Sequence, residues 1–391
     1  MEKPKIRFRK FNNKWKKNKL DKVVDFFDNQ RIPIDSSERK SGLYPYYGAS
    51  GIIDYVDGYI FSGEYVLLAE DGANIILRSS PIAYLSKGKF WLNNHAHIMR
   101  MKTGSNEFLV QLLEKQNYEK YNTGTAQPKL NGEVVKNITL HFPSDDEQSA
   151  IGSIFRTLDD LLSSYKDNLA NYQSLKATML SKMFPKAGQT VPEIRLDGFE
   201  GEWELYELKS RAETITKGTT PKDKSWQGEV NYIKTESINR DTGSLVRTAS
   251  TSLEEHLGYL KRSILKEGDV LFSIVGTLGV VGIVDKKDLP ANTNQQIAII
   301  RLKRDDAIFM LNFLKSPRIK SFIKSDSTIG AQPSLSLWQI EKIKVSLPPS
   351  LEEQQAIGAY FSNLDNLINS HQEKISQLET LKKKLLQDMF I

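Results

Sequence analysis

The chain contains the same long segment twice. The sequence PSDDEQSAIGSIFRTLDDLLSSYKDNLANYQSLKATMLSKMF at residues 143–184 returns without a gap at 349–390, as PSLEEQQAIGAYFSNLDNLINSHQEKISQLETLKKKLLQDMF. The beginning is also repeated, because PKIRFRKFNNKWKKNKL at 4–20 matches PEIRLDGFEGEWELYEL at 192–208. A repeat of this length is too long for a solenoid, so it predicts a duplicated chain with two modules.

Composition places the chain among ordinary globular proteins. Its 391 residues are 39% hydrophobic and 26% charged, and we find neither an apolar run of the roughly 18 residues that a membrane span needs nor a secretory signal. The absence of cysteine excludes disulfides and thiolate metal or catalytic sites. We therefore expect a soluble, cytoplasmic protein with no membrane partner.

Positive charge is unevenly distributed between the modules. Residues 1–141 contain 22 Lys and Arg against 15 Asp and Glu, whereas residues 191–347 contain 23 against 21. Ten of the basic residues fall within residues 1–22. This density would supply phosphate contacts if it faced nucleic acid, but it is equally typical of a solvated surface.

The two repeated segments predict two long helices. Ser144 with Glu147, and Ser350 with Glu353, have the spacing of a capping box, in which the hydroxyl and the carboxylate each accept a backbone N–H. Apolar residues then follow at steps of four and three, which is the period of a two-helix coiled coil. The first series is Ile151, Phe155, Leu158, Leu162, Tyr165, Leu169 and Tyr172, and the second is Ile357, Phe361, Leu364, Ile368, His371, Ile375 and Leu378.

Helix length and linker length together predict antiparallel pairing. A helix of about 38 residues is roughly 55 Å long, but the eight residues 185–192 reach at most about 29 Å, so they cannot return along a parallel partner. We thus predict an α+β protein in which two mixed, β-rich domains are separated by two long antiparallel coiled-coil helices, as a pseudo-two-fold internal repeat. The predicted domains are 1–142, 143–190 with the central helix and linker, 191–348, and 349–391 with the C-terminal helix.

Short apolar and β-branched runs indicate that the modules are rich in strands. One helix is also expected late in each module, over Asn106 to Lys120 and over Ala307 to Ser325. The predicted strands are Tyr65 to Ala69, Ile75 to Leu77, His97 to Met101, Val270 to Val275, Val280 to Val284 and Gln296 to Leu302.

The sequence lacks a recognisable catalytic motif. It contains no phosphate-binding G-x-x-x-x-G-K-[ST] loop, no G-x-S-x-G elbow and no H-E-x-x-H. His95 and His97 would share one face of a strand, but two histidines without a third ligand make a poor metal site, so no metal is predicted. Gly276, Gly279 and Gly282 are interpreted as turn residues, and binding is favoured over catalysis.

The repeats resemble the DNA specificity subunits of type I restriction-modification systems. The resemblance rests on the duplication, on the P-S-x-x-E-Q-x-A-I-G helix openings at Pro143 and Pro349, and on the A-Q-P-x-L stretches that follow Gly124 and Gly330. The stretches PYYGASGIIDY at 45–55 and KGTTPKDKSW at 217–226 resemble loops of target recognition domains. The resemblance covers nearly the whole chain.

The resemblance implies a non-catalytic DNA-recognition subunit. Each of two target recognition domains would read one half of an asymmetric, bipartite site in double-stranded DNA, and the helices would set the gap. Two modification (methyltransferase) subunits would dock along the helices, and two restriction (ATP-dependent endonuclease) subunits would complete the enzyme. No cofactor is implied for this chain, because S-adenosylmethionine, ATP and Mg would be used by the partner subunits.

Side chains at turns, with groups that can bond to bases or phosphates, are the candidate contacts. The residues predicted to bind DNA are Lys40, Tyr46, Tyr47, Ser50, Asn93 and Asn94 in the first module, and Lys217, Thr219, Thr220, Lys222, Lys234 and Thr277 in the second. Tyr46 and Tyr47 could equally be half-buried strand residues. Gln127 and Gln332 are expected to hold each module against its helix. The predicted contacts for the modification subunits are Gln148, Arg156, Gln354 and Asn363.

Two other functions compete with DNA recognition. The duplicated helices could form a coiled-coil scaffold whose modules bind proteins or glycans, and the nearly neutral second module discriminates only weakly against this. A self-sufficient methyltransferase would need an N-P-P-[FY] or D-P-P-Y segment, which the sequence lacks.

Overall fold

The computed structural model describes residues 3–328 and 332–391. The chain divides into two compact units, of which unit 1 comprises Met1–Lys166 with Glu373–Ile391 and unit 2 comprises Asp167–Gln372. Each unit therefore contains one module together with part of each of two long helices.

Unit 1 is built on a six-stranded sheet of order β2-β7-β5-β6-β3-β4, with a separate pair formed by β1 and β8. The helix α3 packs on this sheet, and its N-cap Ser105 accepts a hydrogen bond from the Phe108 N–H. The strands are β1 (Lys16–Lys19), β2 (Val24–Phe26), β3 (Ser41–Gly48), β4 (Gly51–Val56), β5 (Phe61–Ala69), β6 (Ala83–Leu92), β7 (Ala96–Met101) and β8 (Thr139–Phe142). The helices that begin in this unit are α1 (Leu20–Val23), α2 (Asn74–Leu77), α3 (Asn106–Lys115), α4 (Gly132–Asn137) and α5 (Asp145–Lys182).

Unit 2 contains a four-stranded sheet of order β10-β16-β13-β14, a three-stranded sheet of order β12-β11-β15, and the pair β9 and β17. The strands are β9 (Glu204–Glu207), β10 (Ala212–Lys217), β11 (Val230–Ile233), β12 (Ser250–Thr251), β13 (Val270–Ser273), β14 (Val281–Ile283), β15 (Ala291–Thr293), β16 (Ile297–Leu302) and β17 (Lys344–Leu347). The helices are α6 (Leu208–Arg211), α7 (Leu253–Leu257), α8 (Ala307–Lys315), α9 (Pro317–Asp326), α10 (Leu337–Glu341) and α11 (Leu351–Asp388).

The two predicted long helices are confirmed as α5 and α11, each of 38 residues. Within unit 1, Asp159 pairs with Lys382 and Lys166 pairs with Glu379. Positions rise along one helix as they fall along the other, so the helices run antiparallel in this unit.

Unit 2 repeats the antiparallel arrangement with the other halves of the same helices. Lys176 pairs with Asp365, and the rings of Tyr172 and His371 lie 5.1 Å apart. All of the predicted seam residues on both helices are buried or half-buried. Lys176, which interrupts the apolar pattern, is itself buried at 7% exposure because Asp365 and the Asp241 carbonyl accept its hydrogen bonds.

The start of each long helix is fastened by an arginine from the start of its module. Arg7 donates two hydrogen bonds to Glu147, and Arg195 donates two to Glu353, at 2.7 to 2.8 Å. The predicted capping boxes are therefore wrong for the carboxylates, which bind these guanidinium groups instead. The Ser350 hydroxyl still accepts the Glu353 N–H. A bidentate arginine pair is the stronger use of a carboxylate buried at 1% exposure.

A repeated aromatic cluster fills each core where the helices meet the module. In unit 1, Trp15 contacts Phe108 and Phe390, and Phe390 contacts Phe155. The equivalent rings in unit 2 are Trp203, Phe309, Phe184 and Phe361. Each core thus buries the beginning of one long helix and the end of the other.

Glycine and glutamine let each long helix approach the N-terminus of a module helix. A Cβ on Gly152 would lie 2.6 Å from the Ser105 hydroxyl, and one on Gly358 would lie 2.8 Å from the Asp306 carboxylate. Gln148 and Gln354 are 3% and 4% exposed, so they do not lie on an outward face as predicted. The Gln148 side chain bonds to the Ser105 N–H, at the start of α3, and to the Pro143 carbonyl, just before its own helix. The Gln354 side chain bonds to the Asp306 N–H and the Asp305 carboxylate, at the start of α8.

Three predicted elements differ from the structure. The helix predicted over Asn106 to Lys120 ends at Lys115. Residues Ile75 to Leu77 form part of helix α2 rather than a strand. The helix predicted over Ala307 to Ser325 is two helices, because Pro317 has no N–H to continue α8 and instead starts α9. In the part of the chain that the structure describes, we find no helix with the length and apolar character of a membrane span.

Candidate nucleic-acid interface

Four loops of module 1 are linked edge to edge by backbone hydrogen bonds. The Asn93 N–H donates to the Tyr47 carbonyl (3.1 Å), the Glu70 N–H to the His95 carbonyl (2.9 Å), and the Gly72 N–H to the Pro128 carbonyl (3.0 Å). We define loop surface 1 by these loops, which are residues 47–51, 70–72, 93–95 and 123–130.

Module 2 contains the same chain of loops. The Thr219 N–H donates to the Thr293 carbonyl (2.8 Å), the Ile274 N–H to the Gln296 carbonyl (2.7 Å), and the Gly276 N–H to the Pro333 carbonyl (3.0 Å). Loop surface 2 accordingly comprises residues 217–222, 274–279 and 294–296, with residues 328 and 332–335. Gly330, which directly precedes the repeated A-Q-P-x-L stretch, lies outside the described residues.

Three predicted residues of module 1 are solvent-accessible. Ser50 lies in the exposed turn between β3 and β4, and Asn94 lies in the exposed turn between β6 and β7. The Asn93 to Tyr47 bond brings these two turns together at one end of the sheet. Lys40 is exposed just before β3, outside the four loops.

Two other predicted residues of module 1 belong to its core. Tyr46 is 1% exposed, its hydroxyl accepts the Ile34 N–H at 2.9 Å, and the Arg39 guanidinium covers its ring. Asn93 is 5% exposed and its side-chain oxygen accepts the His95 N–H. Burial leaves neither side chain free to reach DNA, so both are structural, which corrects the prediction. Tyr47 is half-buried and stacks on Tyr84.

The predicted residues of module 2 divide in a similar way. Lys217 and Thr277 are exposed. Thr219 is half-buried, and its carbonyl accepts the Tyr232 hydroxyl. Thr220 bonds to the side chain of Gln295. Thr219 and Thr220 are thus fixed against neighbouring parts of the module, while Lys217 is exposed to solvent.

The exposed end of this loop is held by a carboxylate. Glu255, on helix α7, accepts the N–H groups of Lys222 (2.9 Å) and Asp223 (3.1 Å). The Lys222 ammonium then lies 4.8 Å from the centre of the Tyr259 ring. Because the backbone is anchored, the Lys222 side chain is presented from a fixed position.

A strained tryptophan closes the same loop. Trp226 has a positive φ of 58°, which is rare for a bulky residue. Its ring lies 5.4 Å from Tyr232, and the Lys234 ammonium sits 3.6 Å from its centre. Lys234 is therefore engaged in a cation–π contact and is only 21% exposed, so its charge is less available to a partner than predicted.

The loops also contain amide side chains that were not predicted as DNA contacts. Gln295 occupies in module 2 the place of Asn94 in module 1, since Asn93 and Asn294 make the same turn to the N–H two residues on. Gln127 and Gln332 are exposed on the loop surfaces, so they do not hold the modules against the helices as expected. The sequence could have indicated these residues, because the turns that carry them occur in both modules.

A buried charge cluster supports loop surface 1 from below. His97 is 1% exposed, with Nδ1 2.7 Å from the Asp28 carboxylate and Nε2 2.8 Å from the Leu130 carbonyl. Burial disfavours the charged form of Asp28, but hydrogen bonds from His97 and the Ile98 N–H, with the charges of His97 and Arg31, outweigh it and lower the pKa of its carboxyl.

The histidine pair does not form a metal site of the kind weighed from the sequence. His95 lies in a turn before β7 and pairs with Asp71 at 2.9 Å, whereas His97 lies within the strand. Among residues 3–328 and 332–391, no group of three or more His, Cys, Asp or Glu side chains is arranged to hold a metal.

The remaining predicted partner contacts lie on accessible parts of the long helices. Arg156 is 52% exposed and lies 3.4 Å from Glu107, and Asn363 is exposed on α11. These positions are open to a docking subunit, unlike Gln148 and Gln354.

Comparison with known proteins identifies the family. The model of the type I restriction modification DNA specificity domain matches the chain twice, at residues 12–171 and 200–380. The chain belongs to this family. Each match spans most of one module and continues into the long helix that follows it.

Relatives of this specificity-domain protein cover nearly its whole length. A Haemophilus influenzae protein assigned as a type I restriction enzyme specificity subunit is 29% identical over 358 residues, which is 90% of this chain and 88% of the relative. The MjaVIII specificity subunit of Methanocaldococcus jannaschii is 22% identical, covering 95% and 91% of the two chains.

The fold of this specificity-domain protein is also found in a solved structure. The type I restriction-modification S subunit from M. genitalium matches with a TM-score of 0.68 and 16% identity, over 100% of this chain and 99% of that one. The predicted α+β architecture with an internal repeat is thereby confirmed.

Proposed function

We propose that the chain is the non-catalytic DNA-recognition subunit of a type I restriction-modification enzyme, in which each module recognises one half of an asymmetric, bipartite site. Loop surface 1 would contact one half-site and loop surface 2 the other. The antiparallel helices would set the gap between them.

The observation that carries this proposal is the pair of loop surfaces. Both are built from four corresponding loops that are linked in the same order by backbone bonds, yet they present different side chains, such as Ser50 and Asn94 against Lys217, Gln295 and Thr277. Amide and basic side chains are the groups that most often bond to base edges and phosphates. A shared frame with different side chains suits two unlike half-sites.

Partner subunits follow from family membership and from the exposed helix faces. We propose that two modification subunits dock along α5 and α11, including the accessible positions Arg156 and Asn363. S-adenosylmethionine, and the ATP and Mg of restriction subunits, would be used by those partners and not by this chain. The glycan- or protein-binding scaffold is less well supported, because the family match covers both modules.

The experiment is co-expression of the chain with its modification subunit in a host without other adenine methyltransferases, followed by sequencing of methylated adenines. We expect one asymmetric motif of two short halves with a fixed gap. The purified chain alone should transfer no methyl groups. A continuous motif, or no methylation by an assembled complex, would contradict the proposal.

A further inference from the structure

The two modules share one exposed loop, and contacts within the described residues do not explain why its glutamine is retained. The stretch TGTAQPKL at 123–130 returns as TIGAQPSL at 328–335, although most of the surrounding loop residues differ. In both copies the first threonine N–H bonds to the residue six positions on, Thr123 to Lys129 (2.8 Å) and Thr328 to Ser334 (3.1 Å). The described parts of the two loops therefore close in the same way.

In module 1 this loop is a tight turn that projects a glutamine. The Asn122 side-chain oxygen accepts the N–H groups of both Gly124 and Lys129 at 2.9 Å. A Cβ on Gly124 would lie 1.8 Å from the Gln127 carbonyl, so only glycine fits there. Thr125, Ala126 and Gln127 are left exposed at the tip.

The glutamine is the polar residue of this tip that the other module keeps, and the alanine before it is kept as well. Gln127 and Gln332 are both exposed, and neither side chain makes a hydrogen bond to the part of the chain that the structure describes. Both adjoin the candidate interface, because Pro128 and Pro333 accept the N–H groups of Gly72 and Gly276 on the neighbouring loop. An exposed polar side chain that is repeated without an internal partner points to binding.

We propose that Gln127 and Gln332 are equivalent DNA-backbone contacts, each donating an amide hydrogen bond to a phosphate oxygen beside its half-site. This rests on the proposed function. The two half-sites differ in sequence, so a side chain common to both modules is matched to what both halves share, which is the sugar-phosphate backbone. The differing side chains of the other loops are then left to recognise the bases.

The experiment uses the complex of this chain with its modification subunit, and measures binding to two labelled duplexes across a range of salt concentrations. One duplex carries the motif that the complex methylates, and the other lacks this motif. We expect Gln127→Ala and Gln332→Ala each to weaken binding to both duplexes by about threefold to tenfold. The salt dependence should stay unchanged, because no charge is removed.

Further variants separate a contact from a structural role. Gln127→Glu and Gln332→Glu should weaken binding more than alanine does, because a carboxylate repels phosphate, while the melting temperature stays that of the wild type. Gln189→Ala, which removes an exposed glutamine of the linker, is the matched control and should bind normally.

Three results would overturn this inference. Unchanged affinity in both alanine variants would show that the glutamines do not contact DNA. A loss in only one variant would show that the two glutamines are not equivalent. A changed base in the methylated motif would make the glutamine a base-recognising residue. Failure of the wild-type complex to methylate a split motif would instead refute the proposed function itself.

Discussion

Units 1 and 2 are alike where each module packs against the long helices, but their modules contain different sheets. Both contain an arginine–glutamate pair, a close-approach glycine and a cluster of one tryptophan with three phenylalanines. Beyond these, unit 1 has the hairpin of β3 and β4 on a six-stranded sheet, whereas unit 2 adds a separate three-stranded sheet.

This difference separates two kinds of constraint on the sequence. Packing against the long helices requires the same residues in both units, because the helix ends that these residues contact are repeated in sequence. Outside the loop that carries Gln127 and Gln332, the loop surfaces share mainly their backbone bonding, so the other side chains could diverge without loss of the frame. The residues repeated at the helix attachments therefore hold the structure, and the unrepeated residues of the loop surfaces are free to determine specificity.

The largest expected effect tests whether the two attachments are equivalent. Arg7→Ala and Arg195→Ala each leave a glutamate buried at 1% exposure without its partner. Removing one partner of a buried ion pair costs about 3 kcal/mol, so both variants should lower the free energy of unfolding by similar amounts in urea titrations. Replacing exposed Arg9 by alanine is the control. A large loss of stability in only one of the two variants would show that the two arginine–glutamate pairs do not contribute equally.

A smaller loss is expected when the close approach of helices is blocked. Gly152→Ala and Gly358→Ala place a methyl group 2.6 Å and 2.8 Å from an oxygen of the neighbouring module helix. Overpacking of this kind costs about 1 to 2 kcal/mol even after the gain in helix propensity. Calorimetry should show lower melting temperatures for both variants. Equal or higher values would mean that the contact can relax.

Acid stability should distinguish the units, because the His97 and Asp28 cluster is in unit 1. The pKa of Asp28 is lowered by folding, so its contribution is present above the unfolded pKa and is lost as pH falls through the folded value. Asp28→Asn should remove about 1 kcal/mol at pH 7 and reduce the further loss of stability toward pH 3. Urea titrations at a series of pH values test this, and an unchanged pH slope would contradict it.

The smallest effect concerns the anchored loop of module 2. Glu255→Gln keeps the size of the side chain but weakens its bonds to the N–H groups of Lys222 and Asp223, so affinity should fall by about threefold. The loss should appear with duplexes that carry the module 2 half-site and not with those that carry only the other half. Equal losses for both halves would show that Glu255 acts on the whole complex.

The sequence was most informative where a regular period determined burial. The seam of α5 and α11 was predicted residue by residue, because a spacing of 3.5 residues fixes one buried face. Gln148 lies three residues before Ile151 on that same face, so the period itself indicated its burial. The role of Glu147 was missed, because its partner Arg7 lies 140 residues away and no local pattern links them.

The candidate interface was less predictable, because loops have no period. Alternation along β3 places one of Tyr46 and Tyr47 inside, but it does not say which one. Asn94 and Ser50 were predicted as turn residues and are exposed. Their proximity depends on the backbone bond between Asn93 and Tyr47, which only the folded sheet creates.

The central claim is that each module recognises its half-site independently. The most direct test replaces residues 1–141 by the corresponding module of another specificity subunit and maps methylated adenines in complex with the same modification subunit. We predict that one half of the motif changes while the other half stays the same. A motif that changes in both halves, or in neither, would contradict the account.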